Sequence, residues 1–203
     1  MGKLRVGVLA SGRGSNLQAI MDSCSLGAIP AEVAVVISDK AGAYALERAG
    51  FAGIPAHFVD LKTFESKGDY ERVVVKILQE HRVQLVCLAG YMRLVGEHLL
   101  KAYPNKIMNI HPALLPAFPG LHGQRDALAY GVKISGCTVH FVDEGMDTGP
   151  IILQAAVPVL DDDTEETLAA RILEQEHRLY PEAVKLFAQG RLQVMGRKVL
   201  VIK

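Results

Sequence analysis

Short apolar runs rich in β-branched residues alternate with helix-period segments from the start of the chain, and this alternation restricts the fold more than any other feature. The runs are LRVGVLA (Leu4–Ala10), AEVAVVIS (Ala31–Ser38), IPAHFVD (Ile54–Asp60), VQLVCLAG (Val83–Gly90) and IMNIH (Ile107–His111). Strands that are apolar almost throughout belong in a sheet covered on both faces. Between them, helices are expected over Asn16–Ser25, Ala43–Ala49 and Asp69–Arg82, the last presenting Val73, Val74, Ile77 and Leu78 on one side. This βαβα order predicts an α/β fold with a doubly wound, mostly parallel sheet.

After His111 the grammar changes. A Pro-rich loop, HPALLPAFPGLHG, leads to a short helix over Arg125–Tyr130 and then to two long strands, Ile134–Val142 and Ile151–Val159, read as an antiparallel pair added to the sheet. A long helix is expected from Thr164 to Gln189, with Asp163 as N-cap, Glu166 completing a box-like start and Pro181 introducing a kink. The tail RLQVMGRKVLVIK reads as a hairpin or terminal strand around Gly196. With no internal repeat, low-complexity segment or flexible linker, residues 1–203 read as a single domain.

Charge excludes some partners. The 22 Lys and Arg offset the 22 Asp and Glu, so no global field recruits nucleic acid or an anionic membrane, and any anionic ligand needs a local site. The three cysteines, Cys24, Cys87 and Cys137, are scattered, which suits a reducing compartment better than a disulfide framework. Met1–Ala10 turns polar too soon for a signal peptide, and no apolar run approaches the ~20 residues of a membrane span. The expectation is a cytoplasmic protein, monomeric or homodimeric.

The first strand runs directly into SGRGSNLQ (Ser11–Gln18), which opens a helix. Free backbone N–H groups and the helix dipole favour an anion there, and Gly12 and Gly14 let the backbone approach it closely. The third glycine of a dinucleotide fingerprint is replaced by Leu17, and no Gly-Lys-Ser/Thr follows for a Walker loop. The loop therefore reads as a phosphate site at the carboxyl end of the first strand, with Ser15 and Asn16 as capping and donor side chains.

In the strand IMNIH, Asn109 and His111 stand two residues apart and project from the same face. Amide and imidazole together suit acyl or formyl transfer, in which an amine attacks a carbonyl carbon and fixed donors stabilise the oxyanion. The acidic, Gly-rich segment DEGMDTGP (Asp143–Pro150) supplies a carboxylate, Asp147, to orient the imidazole. A close carboxylate is expected to raise the His111 pKa and keep the ring protonated near neutral pH. His57, His81 and His98 read as surface or helix-end residues, and His122 and His140 as structural ones, with a place lining the same cleft as their alternative. No His, Cys or carboxylate pair has metal-ligand spacing, so no metal is expected. LAGYMRLV (Leu88–Val95) ends a strand with an apolar lip around Met92, suited to a flat heteroaromatic ring.

SGRGSNLQ, CLAGYMRLV, MNIHPALLPAFPGLHG, GCTVHFVDEGMDTGPIILQ and QEHRLYP together resemble the folate-dependent formyltransferases, over a stretch from about Arg5 to beyond Pro181. The resemblance implies a Rossmann-like sheet with antiparallel C-terminal strands, its N-terminal half binding phosphate and its C-terminal half folate. It implies 10-formyltetrahydrofolate as co-substrate, glycinamide ribonucleotide as the acceptor and a place in purine synthesis. It assigns the substrate phosphate to Gly14, Ser15 and Asn16, continued by Leu17 and Gln18, and the ribose or glycinamide part to Glu176. The folate site maps onto Met92, Arg93, Leu94, Val95, Asn109 and the loop Asp143, Glu144, Gly145, Met146 and Asp147. Lys67 takes the glutamate tail where an arginine is common in the family, and Arg13 replaces a small polar residue. Asn109, His111 and Asp147 match the catalytic trio. Three other activities fit parts of the pattern. Hydrolysis of the formyl donor uses the same trio, transfer to a charged tRNA needs a basic surface and a further domain, and a non-catalytic binding module needs no trio.

Overall fold

In a computed structural model describing residues 2–202, nine strands form one sheet in the order β3-β2-β1-β4-β5-β6-β7-β9-β8. The strands β1 (Leu4–Leu9), β2 (Ala31–Ser38), β3 (Ala56–Phe58), β4 (Leu85–Leu88) and β5 (Ile107–His111) are parallel. Then β6 (Ile134–Phe141) and β7 (Ile151–Pro158) add as an antiparallel pair, and the terminal hairpin β8 (Leu192–Met195) and β9 (Lys198–Val201) extends the β7 edge. The α/β class, the doubly wound sheet and the antiparallel C-terminal strands are therefore as expected. The third run is the exception, because at the sheet edge only three of its residues pair and they are largely exposed.

Both faces are covered. On one lie α1 (Ser15–Ser25), α2 (Tyr44–Phe51), α5 (Gly123–Tyr130) and α6 (Glu165–Ala188), packing Leu17, Ile20, Leu168 and Ile172 against Val6, Val8 and Val36. On the other, α3 (Lys67–Glu80) and α4 (Glu97–Ala102) pack Tyr70, Val74, Leu78 and Leu99 against Leu9, Val35 and Ile37. Each buried Leu, Ile or Val side chain contributes roughly 1.5–3 kcal/mol. The helix α4 has no counterpart in the sequence reading, because its six residues are too few to show a period. The buried Tyr180 hydroxyl donates to the carbonyl oxygens of Leu88 (3.1 Å) and Met108 (2.9 Å), tying α6 to the end of β4 and the start of β5.

The long helix starts differently from expectation. Its N-cap is Thr164, in a reciprocal box with Thr167, whereas the Asp163 carboxylate accepts from Arg171 at 2.7 and 2.9 Å. The carboxylate stays at the helix start, where it also accepts from the Thr167 hydroxyl at 2.8 Å, so its bonds to α6 go to side chains while Thr164 takes the backbone N–H. The helix runs on through Pro181. Among the described residues no helix is long and apolar enough to cross a membrane.

The strand order places the switch point between β1 and β4, since β2 and β3 extend from one side and β5 from the other. Open α/β sheets bind ligands beyond the carboxyl ends of strands at such a point. The turn Ala10–Gly14, the lip Ala89–Val95 and the Asn109–His111 strand end all lie there.

Candidate functional site

The loop after β1 is built to leave donors open. Gly14 is the N-cap of α1 at φ 70°, and a Cβ on it would lie 2.9 Å from the Ala45 backbone, so both conformation and space demand glycine. No side chain caps this helix and no acid lies in its first turn, which corrects the expectation that Ser15 and Asn16 act as caps. The uncapped N–H groups of the first turn lie at the positive end of the dipole, which favours an anion.

The side chains of this segment divide the work. Leu17 is 0 % exposed in the core, so only its backbone is available to a ligand. Gln18 is held by Arg48 (3.0 Å) and by Asp22 (2.8 Å). Arg48 also donates to the Arg13 carbonyl oxygen at 2.9 Å, so the cation tied into the loop is Arg48, a residue the sequence reading did not single out. Buried Asn16 donates to Glu176 at 2.7 Å, leaving its own amide oxygen without a partner. Burial pushes the Glu176 carboxyl above its ordinary value, with the Asn16 bond opposing. This contact joins residues 160 apart in sequence and brings Glu176 to the Gly14 loop.

Asn109, His111 and Asp147 converge. Asp147 lies in the β6–β7 connection at φ 55°, a left-handed conformation that costs a non-glycine residue of order 1–3 kcal/mol and is characteristic of functional sites. Gly149 makes that connection possible, because a Cβ there would lie 1.8 Å from the Phe141 carbonyl oxygen. Asp147 Oδ2 accepts from the Gly120 N–H at 2.8 Å and lies 3.4 Å from His111 Nδ1, while Oδ1 lies 3.5 Å from Asn109 Nδ2. His111 Nε2 donates to the Phe118 carbonyl oxygen at 2.8 Å.

His140 belongs to the same cluster, contrary to its expected structural role. It pairs with Asn109 across β5 and β6, and its Nε2 lies 3.2 Å from Asn109 Nδ2 and 3.7 Å from Asp147 Oδ1. Its Nδ1 donates to the Phe141 carbonyl oxygen at 2.8 Å, so in the neutral ring Nε2 accepts the Asn109 amide proton. The Asn109 amide is thereby fixed with its nitrogen toward His140 and Asp147. His122, at the start of α5, is exposed and outside the cluster.

Exposure orders the cluster in depth. The Asp147 side chain is 13 % exposed, against 4 % for His111 and 2 % for His140, so the carboxylate and the half-buried Asn109 face the solvent side and the imidazoles lie behind. Burial pushes the His111 pKa below its ordinary value, even though Asp147 and the Phe118 carbonyl favour the proton. The expected upward shift is thus reversed: Asp147 acts with the expected sign, but the loss of hydration outweighs it. Burial opposes the Asp147 charge as well, yet His140, the Gly120 N–H and His111 hold its carboxyl below the ordinary range. At neutral pH the pair is an ionised carboxylate in front of a neutral imidazole.

The lip after β4 is apolar at its tip and anchored beneath. Met92 and Leu94 are exposed, as are Leu121 and Met146 on the two other loops that flank the cluster. Val95 packs against the α3 side of the core. Arg93 is turned inward and donates to Asp39 at 2.6 Å. The buried Glu71 carboxylate accepts from the Gly96 N–H at 2.6 Å, and Lys67 lies 3.8 Å from that carboxylate. In the acidic loop, Asp143 is taken up in fixing its own turn, accepting from Gly145 N and Thr148 Oγ1, while Glu144 and Gly145 are exposed. No group of three or more His, Cys, Asp or Glu able to hold a metal occurs among the described residues. Burial pushes the Cys87 thiol up to about 12, which leaves it without nucleophilic character.

Comparison with known proteins gives a consistent picture. The formyl transferase family model matches residues 4–184. The crystal structure of glycinamide ribonucleotide transformylase 1 from Symbiobacterium toebii superposes with a TM-score of 0.98 at 59 % identity, covering 99 % of this chain and 95 % of that one. The phosphoribosylglycinamide formyltransferase of Bacillus subtilis (strain 168) is 47 % identical over 178 residues, which is 88 % of this chain and 91 % of that protein. The trifunctional purine biosynthetic protein adenosine-3 of Drosophila pseudoobscura pseudoobscura is 50 % identical over 191 residues, or 93 % of this chain. This chain spans only 14 % of that protein's length.

Proposed function

This chain belongs to the formyl transferase family, and on that ground we propose that it moves a formyl group from 10-formyltetrahydrofolate to the amine of glycinamide ribonucleotide in purine synthesis. Family membership implies a folate co-substrate, and the residues suit one. Exposed Met92, Leu94, Leu121 and Met146 offer apolar cover for a flat ring beside a polar floor. The observation that carries the reading is the convergence of Asn109, His111 and Asp147 at the carboxyl end of the sheet, on the same side as the open donors of the Gly14 loop. In this reading residues 1–203 act as one catalytic unit, and three free, buried cysteines suit a reducing cytoplasm.

Bound folate supplies the activated formyl carbon. The rest is done by the chain. Asn109, held by His140, donates to the oxygen that gains negative charge. Asp147, ionised and on the solvent side, accepts a proton from the attacking amine. His111 behind it takes that proton on Nδ1, which has no other proton at neutral pH because the Phe118 carbonyl oxygen fixes the ring's hydrogen on Nε2, and the pair returns it to the departing folate nitrogen as the old carbon–nitrogen bond breaks. Glu176, bonded to Asn16, contacts the sugar or glycinamide part, and Lys67 gives the glutamate tail a flexible, salt-screened contact.

The test is an assay of formyl transfer from 10-formyltetrahydrofolate, run with glycinamide ribonucleotide and without it. Transfer should depend on the amine. Equal release of tetrahydrofolate without acceptor would make the chain a hydrolase.

The phosphate assignment has its own measurement. Removing the phosphate from the acceptor should lower kcat/KM by about 10- to 100-fold for each charge-assisted bond lost, at roughly 1.5–3 kcal/mol per bond. Equal kcat/KM for the nucleotide and its dephosphorylated riboside would take the phosphate away from Gly14, Ser15 and Asn16.

A further inference from the structure

Asp39 follows the carboxyl end of β2 and belongs to neither substrate loop, yet it is bonded to both. Its side chain is 1 % exposed. Oδ1 accepts from Ser11 Oγ at 2.6 Å, in the turn that enters the phosphate loop, and Oδ2 accepts from Arg93 Nε at 2.6 Å, in the lip after β4. Ser11 is bonded to the lip directly as well, since its hydroxyl oxygen accepts from the Met92 N–H at 3.0 Å and its own N–H donates to the Gly90 carbonyl oxygen at 3.0 Å. One buried carboxylate and one hydroxyl thus clamp together the two segments that the proposed function gives to different substrates.

We propose that Asp39 is a positioning residue that couples the two subsites, so that occupation of the phosphate loop pre-orders the folate lip. The inference rests on the substrate reading above. Its physical basis is the connectivity of the network. A phosphate on the first turn of α1 restrains the Ser11–Asn16 segment, and restraining Ser11 fixes the Met92 N–H and the Asp39 carboxylate. Asp39 in turn fixes the Arg93 guanidinium, whose side chain keeps 30 % exposure beneath the lip. A second ligand arriving at an already ordered lip loses less conformational entropy on binding. By linkage the effect is reciprocal, with folate tightening the nucleotide by the same factor. Sequence reading does not reveal this role, because an acid at a strand end has no local mark that tells a buried bridge from a solvated turn.

The experiment is calorimetric titration of the full chain with tetrahydrofolate, the deformylated product, alone and with saturating glycinamide ribonucleotide. In the wild type the nucleotide should tighten tetrahydrofolate by about 5-fold or more, the low end of typical coupling. In Asp39→Asn the ratio should fall toward one. Ser11→Ala, which removes the hydroxyl link to Asp39 and Met92 but keeps the Ser11 N–H bond to Gly90 and the Asp39–Arg93 ion pair, should do the same and carries the test if Asp39→Asn does not fold. A second readout is amide exchange at Met92, Arg93 and Leu94, which should slow on adding the nucleotide alone in the wild type and not in Ser11→Ala. Binding of both ligands with a ratio of one in the wild type, or with the wild-type ratio in both variants, would overturn the coupling and leave the substrate reading intact. Failure of the wild type to bind either ligand would overturn the substrate reading and the coupling with it.

Discussion

Replacing Asp147 by Asn should lower kcat by about 10²–10⁴, the scale of a lost proton-transfer group. The amide keeps the shape and the acceptor oxygen of the carboxylate but carries no charge and takes no proton at neutral pH. The pH dependence has a definite sign. In the wild type burial already holds His111 below its ordinary value of 6.5, so the imidazole is neutral at pH 7 and activity should fall only as the medium becomes acidic enough to protonate it. Asp147 favours the protonated ring, so removing its charge should lower the His111 pKa further and move the acid limb of the profile to still lower pH. Asp147 itself, held below 3.8, stays ionised across that range. The measurements are kcat against pH in both proteins and an NMR titration of the His111 ring. An unchanged limb together with an unchanged plateau would show that Asp147 neither moves the proton nor tunes the imidazole.

Asn109→Ala and His111→Ala should each reduce kcat far more than they weaken substrate binding. For Asn109 the expected loss is about 10²–10³, that of one donor to a developing oxyanion. The donor matters most once the oxygen is charged, so kcat and kcat/KM should fall together while KM stays nearly constant. For His111 the scale is about 10²–10⁴, acting through Asp147 rather than at the substrate. Steady-state kinetics on variants shown to be folded by circular dichroism separate the two effects. A variant with wild-type kcat would remove that residue from the chemistry, and a raised KM with unchanged kcat would make it a binding residue only.

How far the site was legible depends on how local each feature is. Gly14 in SGRGSNLQ announces a strand-to-helix turn, and Asn109 and His111 share a strand face because side chains alternate along any strand. Neighbouring residues decide both. The contact of His140 with Asn109 is not legible in the sequence although His140 lies one residue before the end of β6, since it depends on the register of β5 against β6, and a slip of one residue would turn it to the other face. Arg48 and Asp39 were missed for a related reason: their partners, Arg13, Ser11 and Arg93, lie on other segments of the chain.

The sequence alone determined the alternation of strands and helices, the antiparallel pair after the Pro-rich loop and the donor-rich turn at Gly14. These follow from apolar periodicity and backbone sterics acting over a few residues. Tertiary structure alone decided the reach of Asp147 to His111, the Asn16–Glu176 bond, the Asp39 bridge and the direction of the His111 pKa. The last marks the division most clearly. From the sequence a carboxylate partner predicts a raised pKa, but a shift is the sum of every charge, dipole and lost water around the ring. That sum is fixed only when the sheet, α5 and the loops close over His111 and leave its side chain 4 % exposed.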